Sequence, residues 1–585
     1  MISISGKYWE EVKVQKRLID KIKIDYDLSE NQSKLAISRK FTDEDFFLIN
    51  NEIEFKNPFL KTKDFLFGCE LLNENIKKQK NILIIGDYDV DGCMSTSLFI
   101  NFLMKNNVKV NYYIPDRFND GYGASEELII KLTNKFKTNL IIFLDCGSNS
   151  YDAIKYLKSK KINTFVIDHH NTKLPYPESD IFINPKKNTN YGQYDYLCTT
   201  FLTYLFIDLY IEKYKLDKTI QNYQIYVLLA TIADVMPLRG INKILAKNVL
   251  KNFDINKNFL LNKLFQVMKI NNKLTLYELG YKIAPLINAA GRLENANQII
   301  ELFTTRNVKR ISSISENIYN LNIKRKSIEK LIIDDFDYKK FYDEKNILFI
   351  YKPNLHEGII GIIASKIKDY FNKPCIILTN NGDNVKGSAR STSDFNIGEY
   401  IQKSVELGIL LGGGGHNLAA GIILKKNKIN EFKKYINSQY VKKYNPSKNI
   451  YLSILSTSSI NIDFVKSIEK LGPFGNKNPY PIFLIQDIKF IKPTIIKDKF
   501  ISFFVKKDNK IFKSISYNHL KSKISYQILN SQNSFDILVK VKKINWNNKS
   551  NLELEIVDLI KNTNKPWLIL IYTINNFKLV PSSIG

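Results

Sequence analysis

The segment Gly86-Asp87-Tyr88-Asp89-Val90-Asp91-Gly92 sets three carboxylates on alternate positions directly after an apolar run at 81–85. In an extended segment alternate side chains share a face, so Asp87, Asp89 and Asp91 are expected to point one way. Three carboxylates that close repel one another strongly unless cations neutralise them. A calcium loop of DxDxDG type needs helices on both sides and a Glu six residues past its Gly. Here an apolar strand precedes the loop and Leu98 stands in the Glu position. An exposed acidic turn or a metal site remains. Two further strand ends carry matching groups: Asp145 follows 140–144 (LIIFL), and Asp168, His169 and His170 follow 163–167 (NTFVI). The chain has only five histidines, and two of them stand together here. Asp234, in TIADVMPL beside an apolar helix, is a further candidate; alone it reads equally as a helix cap or a satisfied polar residue. Five Asp with one or two His exceed what one ion needs and fit two. Carboxylates suit Mg²⁺ or Mn²⁺, and imidazole shifts the preference toward Mn²⁺. Two ions about 3.5–4 Å apart can activate a water and stabilise a leaving oxygen. That chemistry is phosphoester or phosphoanhydride hydrolysis.

These groups need a scaffold that gathers strand ends. The runs at 81–86, 140–144 and 163–167 are short, rich in β-branched residues and separated by helix-length segments. That pattern predicts a parallel sheet covered on both faces, whose ligands collect outside the carboxyl ends of the strands. Segments 200–235 and 240–300 read as helical, and 306–335 as one long charged helix without Gly or Pro. A second α/β block is expected at 345–425, with strands at 347–351 and 375–379. After about 445 the helical period fades, and PIFLIQDIKFI, KFISFFVKK, KIFKSISY and DILVKVKKINW predict a small antiparallel β domain.

With 585 residues, 44% hydrophobic and 25% charged, the chain is a folded multidomain protein, not a disordered one. No run reaches the roughly 18 uncharged apolar residues of a membrane span, and the N-terminus lacks signal-peptide features. The five cysteines show no CxxC spacing, which argues against a zinc ribbon or disulfide framework and for a reducing cytoplasm. The net charge is +28, and residues 421–585 hold 28 basic and 10 acidic residues, +18 of that total. Such asymmetry points to a C-terminal polyanion-binding module. Only nine of the 86 basic residues are Arg, so part of the charge reflects a Lys-, Asn- and Ile-rich composition.

At Asp168-His169-His170 the chain resembles the DHH phosphoesterase superfamily. The likeness continues through Pro115-Asp116-Arg117-Phe118 with Gly121-Tyr122-Gly123, Asn288-Ala289-Ala290-Gly291-Arg292, and His356-Glu357-Gly358-Ile359-Ile360-Gly361. It extends through Gly387-Ser388-Ala389-Arg390-Ser391, Gly413-Gly414-Gly415-His416 with Ala419-Ala420-Gly421, and Gly472-Pro473-Phe474-Gly475 with Pro479-Tyr480-Pro481. Over roughly 55–560 this is similar to the bacterial RecJ branch. The resemblance implies an N-terminal helical region (1–80), a parallel-sheet DHH domain (81–300), a connecting helix (301–340), an α/β DHHA1 domain (341–445) and a C-terminal β-barrel, the OB-fold (446–560). The tail 561–585 has no reading.

By resemblance, Asp87, Asp89, Asp91, Asp145, His169 and Asp234 hold two divalent ions, Mn²⁺ or Mg²⁺, with Asp145 bridging. Asp168 orients the site, while His170 and Arg292 meet the scissile phosphate. Arg117, Ser388 and Arg390 receive a 5′-terminal phosphate, and Gly414 and His416 approach the strand. The implied activity is 5′→3′ exonuclease action on single-stranded DNA in recombination and repair. The implied setting is a cytoplasmic monomer, with a single-strand-binding protein and a helicase as candidate partners. A phosphodiesterase of short oligonucleotides or cyclic dinucleotides is the alternative enzyme, and a ligand-depleted scaffold the non-enzymatic one. Relatives often have Asn or His where Cys146 stands, so Cys146 bears on the surroundings of Asp145. Cys93 and Cys146 are expected to point away from the ions. His356 reads equally as packed or DNA-contacting, and His519 as a surface residue. Phe503, Phe504 and Trp546 are the candidate stacking aromatics of the barrel.

Overall fold

The computed structural model describes residues 2–562 apart from 121–122, 188–190, 218, 271–273, 338, 342–343, 345, 441–446, 519, 521 and 547–548. Gly121, Tyr122, His519 and the tail from 563 therefore lie outside the described residues. The chain divides into two compact units: Phe55–Pro237 with Asn248–Tyr444, and Met1–Glu54 with Leu238–Lys247 and Asn445–Gly585.

The first unit opens on a parallel sheet of β1 (Ile82–Ile85), β2 (Val110–Tyr113), β3 (Leu140–Leu144), β4 (Asn163–Ile167) and β5 (Ile181–Ile183), in spatial order β2-β1-β3-β4-β5. β1 and β3 are wholly buried, as an all-parallel sheet with helices on both faces requires. Helices Glu126–Phe136 and Tyr151–Ser159 cover one face; α1 (Val90–Lys105) and α2 (Thr199–Lys213) pack together on the other. The two flanking strands, VNYY and IFI, escaped the sequence reading because each is short and lies at a sheet edge.

The acidic segment is not extended throughout. β1 stops at Ile85, and α1 starts at Val90 with Asp89 as its N-cap, accepting from the Gly92 N–H at 3.0 Å. Aspartate is a favoured N-cap because its carboxylate takes up an orphan N–H of the first turn. The three carboxylates thus come from a strand end, a cap and a first helical turn, not from one face of a strand.

Helices α3 (Gln224–Ala233) and α4 (Ala284–Leu293) follow, then the 27-residue α5 (Val308–Asp334), the connecting helix. The second sheet orders as β9-β10-β8-β7-β6: β6 (Leu348–Tyr351), β7 (Cys375–Asn381), β8 (Asn384–Arg390), β9 (Gly412–His416) and β10 (Ala419–Lys425). α6 (Glu357–Phe371) joins β6 to its parallel neighbour β7, and the other pairings are antiparallel. The glycine run of 412–415 lies in the edge strand of this sheet.

The second unit is a closed barrel of β11 (Phe483–Ile496), β12 (Phe500–Lys507), β13 (Lys510–Ser516), β14 (Phe535–Trp546) and β15 (Lys549–Lys561). It is antiparallel except where β13 meets β15 in parallel, the contact that closes it. The N-terminal residues share its core: Leu28, Leu35, Ala36, Phe46 and Ile49 cluster with Phe483, Ile485, Phe503 and Phe535. Strand Tyr8–Glu11 pairs in parallel with Lys448–Tyr451. The buried Asp558 carboxylate accepts from Trp9 Nε1 (2.9 Å), Ser5 Oγ (2.8 Å) and Asn449 Nδ2 (2.7 Å), tying three distant segments together. Phe503 is only 1% exposed and belongs to that core, which removes it from the stacking candidates, whereas Phe504 is 38% exposed. Of the Trp546 side chain nothing is described.

Candidate active site

Three sets of donor atoms meet at the carboxyl ends of β1, β3 and β4. They are Asp87, Asp89 and Asp145; Asp91, His169 and Asp234; and Asp145, His169 and His170, with the atoms of each set within 4.8 Å of one another. Asp145 and His169 each belong to two sets. Asp145 leaves β3 with φ +64°, a left-handed turn that Asp tolerates better than most residues. Gly92 allows the first turn of α1 to sit against the strand end: a Cβ there would lie 2.5 Å from the Asp87 carbonyl oxygen.

Two threonines that sequence spacing did not flag clamp the cluster. Thr199 and Thr200, at the start of α2, donate their N–H groups to Asp91 at 2.7 and 2.8 Å. The Thr200 hydroxyl donates to the same carboxylate at 2.6 Å, and the Thr199 hydroxyl to Asp145 at 2.9 Å. A helix N-terminus aimed at a carboxylate is favourable, but no motif announces which helix will arrive there.

Neutral clamps leave the charge uncompensated. Two like charges 4 Å apart repel by about 4 kcal/mol even at an effective dielectric of 20. Burial first, and then Asp89, push the Asp87 carboxyl up to about 7. Burial with Asp91 does the same for Asp145 and Asp234, which are held well above the usual carboxylate range. His169 is driven the opposite way, down to about 4, by burial and by His170, so its ring is neutral and its nitrogen lone pair is open to a metal ion. Its Nε2 stands 3.4 Å from Asp145, 3.5 Å from Asp234 and 3.7 Å from Asp91, too far for good hydrogen bonds and open to an ion between them. Its buried Nδ1 has no hydrogen-bond partner. A hard-oxygen set with one neutral imidazole fits Mg²⁺ or Mn²⁺.

Asp168 points away from this centre and organises it. Its carboxylate accepts from the N–H of His169 (2.7 Å), His170 (3.1 Å) and Ser148 (3.0 Å), and from His170 Nδ1 (2.8 Å). Burial alone would raise Asp168, but the His170 ring outweighs it and holds the carboxyl far below the usual range. Burial also opposes charge on His170, yet Asp168 prevails and lifts it to about 9, so His170 is a cation at neutral pH. Asn184 fixes the loop by donating to Ser148 Oγ and to the His170 carbonyl, both at 2.8 Å.

A cluster of basic side chains borders the centre, Arg117 acting on Asp87 and Arg292 on Asp89. Arg292, at the C-terminal end of α4, donates to the Gly358 carbonyl at 3.3 Å. Burial, then Arg117, Arg325 and Arg390, bring it down to about 10. Arg117 lies 4.4 Å over the Tyr88 ring. Ser388 and Arg390 share a face of β8, joined by an Arg390 Nη1 to Ser388 Oγ bond of 2.9 Å. Gly361 of α6 leaves them room, since its Cβ would fall 2.9 Å from Arg390 and 3.1 Å from Ser388. Half-buried arginines gathered this closely, with no carboxylate among the described residues bonded to Arg390 or Arg292, mark a place for an anion. His416, at the end of β9, stacks on His170 with centroids 6.1 Å apart, and its Nδ1 lies 3.2 Å from Asn171 Nδ2. Gly414 sits exposed on that edge strand with nothing within 4 Å of its Cβ position.

The thiols stay out of the site. Cys93 and Cys146 are buried, face the carbonyls of Asp87 and Ile85, and are pushed well up by burial. Cys146 belongs to the core beneath the sheet rather than to the surroundings of the Asp145 carboxylate. His356 caps α6 through its Nδ1, which accepts from the Gly358 N–H at 3.2 Å, and packs edge-on to Phe118.

Fold and donor set together point to one class: residues 81–232 match the DHH family, N-terminal domain. Residues 344–442 match the DHHA1 domain and residues 453–558 the RecJ OB domain, the domain order of the RecJ proteins. The chain is 29% identical over 452 residues to the single-stranded-DNA-specific exonuclease RecJ of Haemophilus influenzae, spanning 72% of this chain and 77% of that one. It is 27% identical to RecJ of Escherichia coli over 71% of this chain and 76% of that one. The crystal structure of Thermus thermophilus RecJ in complex with Mn²⁺ has the same fold, with a TM-score of 0.80 at 20% identity, covering 95% of this chain and 79% of that one.

Proposed function

We propose that this chain is a metal-dependent exonuclease that degrades single-stranded DNA from its 5′ end, acting in recombination and repair. The observation that carries this reading is the pair of donor sets, Asp87-Asp89-Asp145 and Asp91-His169-Asp234, brought together where His169 Nε2 stands 3.4 Å from Asp145, beside a group of half-buried arginines. Asp87, Asp89 and Asp145 would hold one divalent ion and Asp91, His169 and Asp234 a second, Mn²⁺ or Mg²⁺, with Asp145 common to both. When bound, such ions supply an activated water and charge stabilisation at the leaving oxygen. Asp168 keeps the His170 imidazolium charged and oriented, and His170 with Arg292 neutralises the scissile phosphate. Arg117, Ser388 and Arg390 grip the terminal 5′ phosphate, and that grip measures one nucleotide from strand end to cut. His416 and the bare backbone at Gly414 meet the strand between.

Single-stranded DNA is the partner. Support from the barrel comes from its outward face, where Lys489 opposes Lys506 across β11–β12 and Phe504 is flanked by Lys513 and Ile491. Like charges set directly opposite destabilise a sheet unless an anion covers them. A single-strand-binding protein, a helicase and a monomeric state complete the proposal. Five unpaired, buried cysteines favour a reducing cytoplasm, and among the described residues no helix is long and apolar enough to cross a membrane. The test is a 5′-phosphorylated single strand with Mn²⁺ or Mg²⁺ against a chelated control. Mononucleotides released in order from the 5′ end are expected. Internal cuts, release from the 3′ end or metal-independent cleavage would overturn the reading.

A further inference from the structure

α4, the helix that ends in Arg292, is entered through a π-helical turn, Glu278–Ile283. Such turns wind in an extra residue and recur at functional sites. This one holds Tyr277 and Tyr281 outward, 59% and 73% exposed, with their rings stacked at 5.1 Å and 28°. Its inner side is sealed by Gly280, whose Cβ position is 3.0 Å from Ile232 of α3, so a larger residue would prise the turn off. Glu278 is buried beneath, accepting from the Thr275 hydroxyl, and Lys282 stands 3.6 Å from it and 5.9 Å from the centre of the Tyr277 ring. The outward surface is therefore two flat aromatic faces with an ammonium beside them.

A second, independent observation lies three residues past Ile232. Val235 directly follows the candidate ligand Asp234 and has φ +55° with 64% of its surface exposed. A β-branched residue in the left-handed region is strained, and strain of this kind concentrates where a site demands it. The backbone is fixed there by the N–H of Val235 donating to Ile232 (3.2 Å) and that of Met236 donating to Thr231 (2.9 Å). The chain thus keeps an apolar side chain in solvent at the edge of the metal centre.

We propose that Val235, Tyr281 and Tyr277 form a base-stacking track for single-stranded DNA leading away from the metal centre, with Lys282 on the strand's phosphates. This rests on the nuclease reading above. Every base has a π-face, so stacked tyrosines bind a strand without reading its sequence, and a neighbouring lysine matches its backbone charge. Tyr281 stands on the helical segment that ends in Arg292, eleven residues before it, roughly 16 Å along the axis at about 1.5 Å per residue. An extended strand covers that span in about three to five nucleotides.

The experiment compares wild type, the Tyr277→Ala/Tyr281→Ala pair and Tyr281→Phe on 5′-phosphorylated oligodeoxythymidylates of three and of twenty nucleotides with Mn²⁺. Binding of the twenty-mer without added metal is followed by anisotropy. The double variant is expected to raise KM and Kd for the twenty-mer roughly ten-fold or more with little change in kcat, and to spare the trimer. Tyr281→Phe, which keeps the ring, should recover most of the loss. Equal losses on both lengths, or unchanged Kd for the twenty-mer, would overturn the track. A wild type that cleaves neither strand defeats the nuclease reading, while the anisotropy comparison still decides whether the tyrosines bind DNA.

Discussion

At the residue scale the carboxylate cluster is the main liability of the metal-free protein. Asp145 stands in two donor sets and is pushed far up by burial and by Asp91. Asp145→Asn should remove a shared ligand and lower cleavage by several orders of magnitude while leaving the metal-free melting temperature equal or higher. Mn²⁺ at a hundred times its Kd should stabilise the wild type by about 2.7 kcal/mol per site, and the variant much less. Melting curves with and without Mn²⁺ check this, and an unchanged metal-induced shift would remove Asp145 from the centre. Arg390 lies in a different environment, fixed by Ser388 and by its neighbour's carbonyl at 2.8 Å. Losing a charged hydrogen bond to a phosphate costs about 1.5–3 kcal/mol. Arg390→Ala should therefore lose roughly ten- to hundred-fold in kcat/KM on 5′-phosphorylated strands and much less on 5′-hydroxyl strands. Lys should rescue only in part, because it lacks the planar fork. Equal losses on both ends would place Arg390 elsewhere.

At the element scale, α6 is held against α4 by the absence of side chains. A Cβ on Gly358 would lie 2.0 Å from the Arg292 carbonyl oxygen, so Gly358→Ala must move one helix off the other. Overpacking of this kind costs about 1–3 kcal/mol, and here it also displaces Arg292. A lower melting temperature together with lower kcat is the expected pair of effects. Gly414→Ala is the contrast: nothing surrounds its Cβ position, so the melting temperature should hold while KM for the strand rises. An unchanged KM would reduce the glycine strand to a plain sheet edge. The cap of α6 titrates as well. His356 accepts through Nδ1, which requires a neutral ring, and burial lowers its affinity for a proton. As pH falls below the unfolded value near 6.5, the unfolded chain takes up that proton first, so stability is lost toward acid. His356→Asn keeps a capping side chain that does not titrate. Its melting temperature should fall less than that of the wild type between pH 7.5 and pH 5.5, and parallel slopes would refute this.

At the scale of the whole molecule, chain order and structural unit do not coincide. Residues 1–54 contribute Leu28, Leu35, Phe46 and Ile49 to the core that surrounds the barrel's Phe483 and Phe535. A truncation at 450, which the sequence suggests as a clean removal of the DNA-binding module, would strip those residues of their partners. It should give poor solubility or a lost cooperative transition, seen directly in a melt. The charge of the barrel is better tested in place. Lys489→Gln, Lys506→Gln and Lys513→Gln together should leave the melting temperature near that of the wild type and flatten the plot of log K against log salt. At about 0.7 ion per single-strand phosphate contact, the slope should drop by up to about 2. An unaltered slope would return those lysines to the composition bias of the chain.

Residue types and local pattern were enough to predict the scaffold and to single out the candidate ligands it presents. Buried parallel strands are read from unbroken β-branched runs, and the residue following such a run is fixed at a strand end by chain connectivity alone. Asp87, Asp145 and Asp168 were legible for that reason, and the nine scarce arginines drew attention to Arg117, Arg292 and Arg390. Tertiary structure alone decided which neutral groups clamp the carboxylates. Thr199 and Thr200 reach Asp91 from 108 and 109 residues away, and no local periodicity encodes that approach. Burial likewise separated Phe503 from Phe504: strand alternation states that they face opposite ways, but only closure of the barrel says which face is inside. The same holds for His169 and His170, adjacent in sequence and driven to about 4 and about 9. Their difference arises because one ring is enclosed without a hydrogen-bonded counter-charge and the other lies on Asp168. Such a difference is a property of surroundings assembled from the whole chain, and two neighbouring letters cannot contain it.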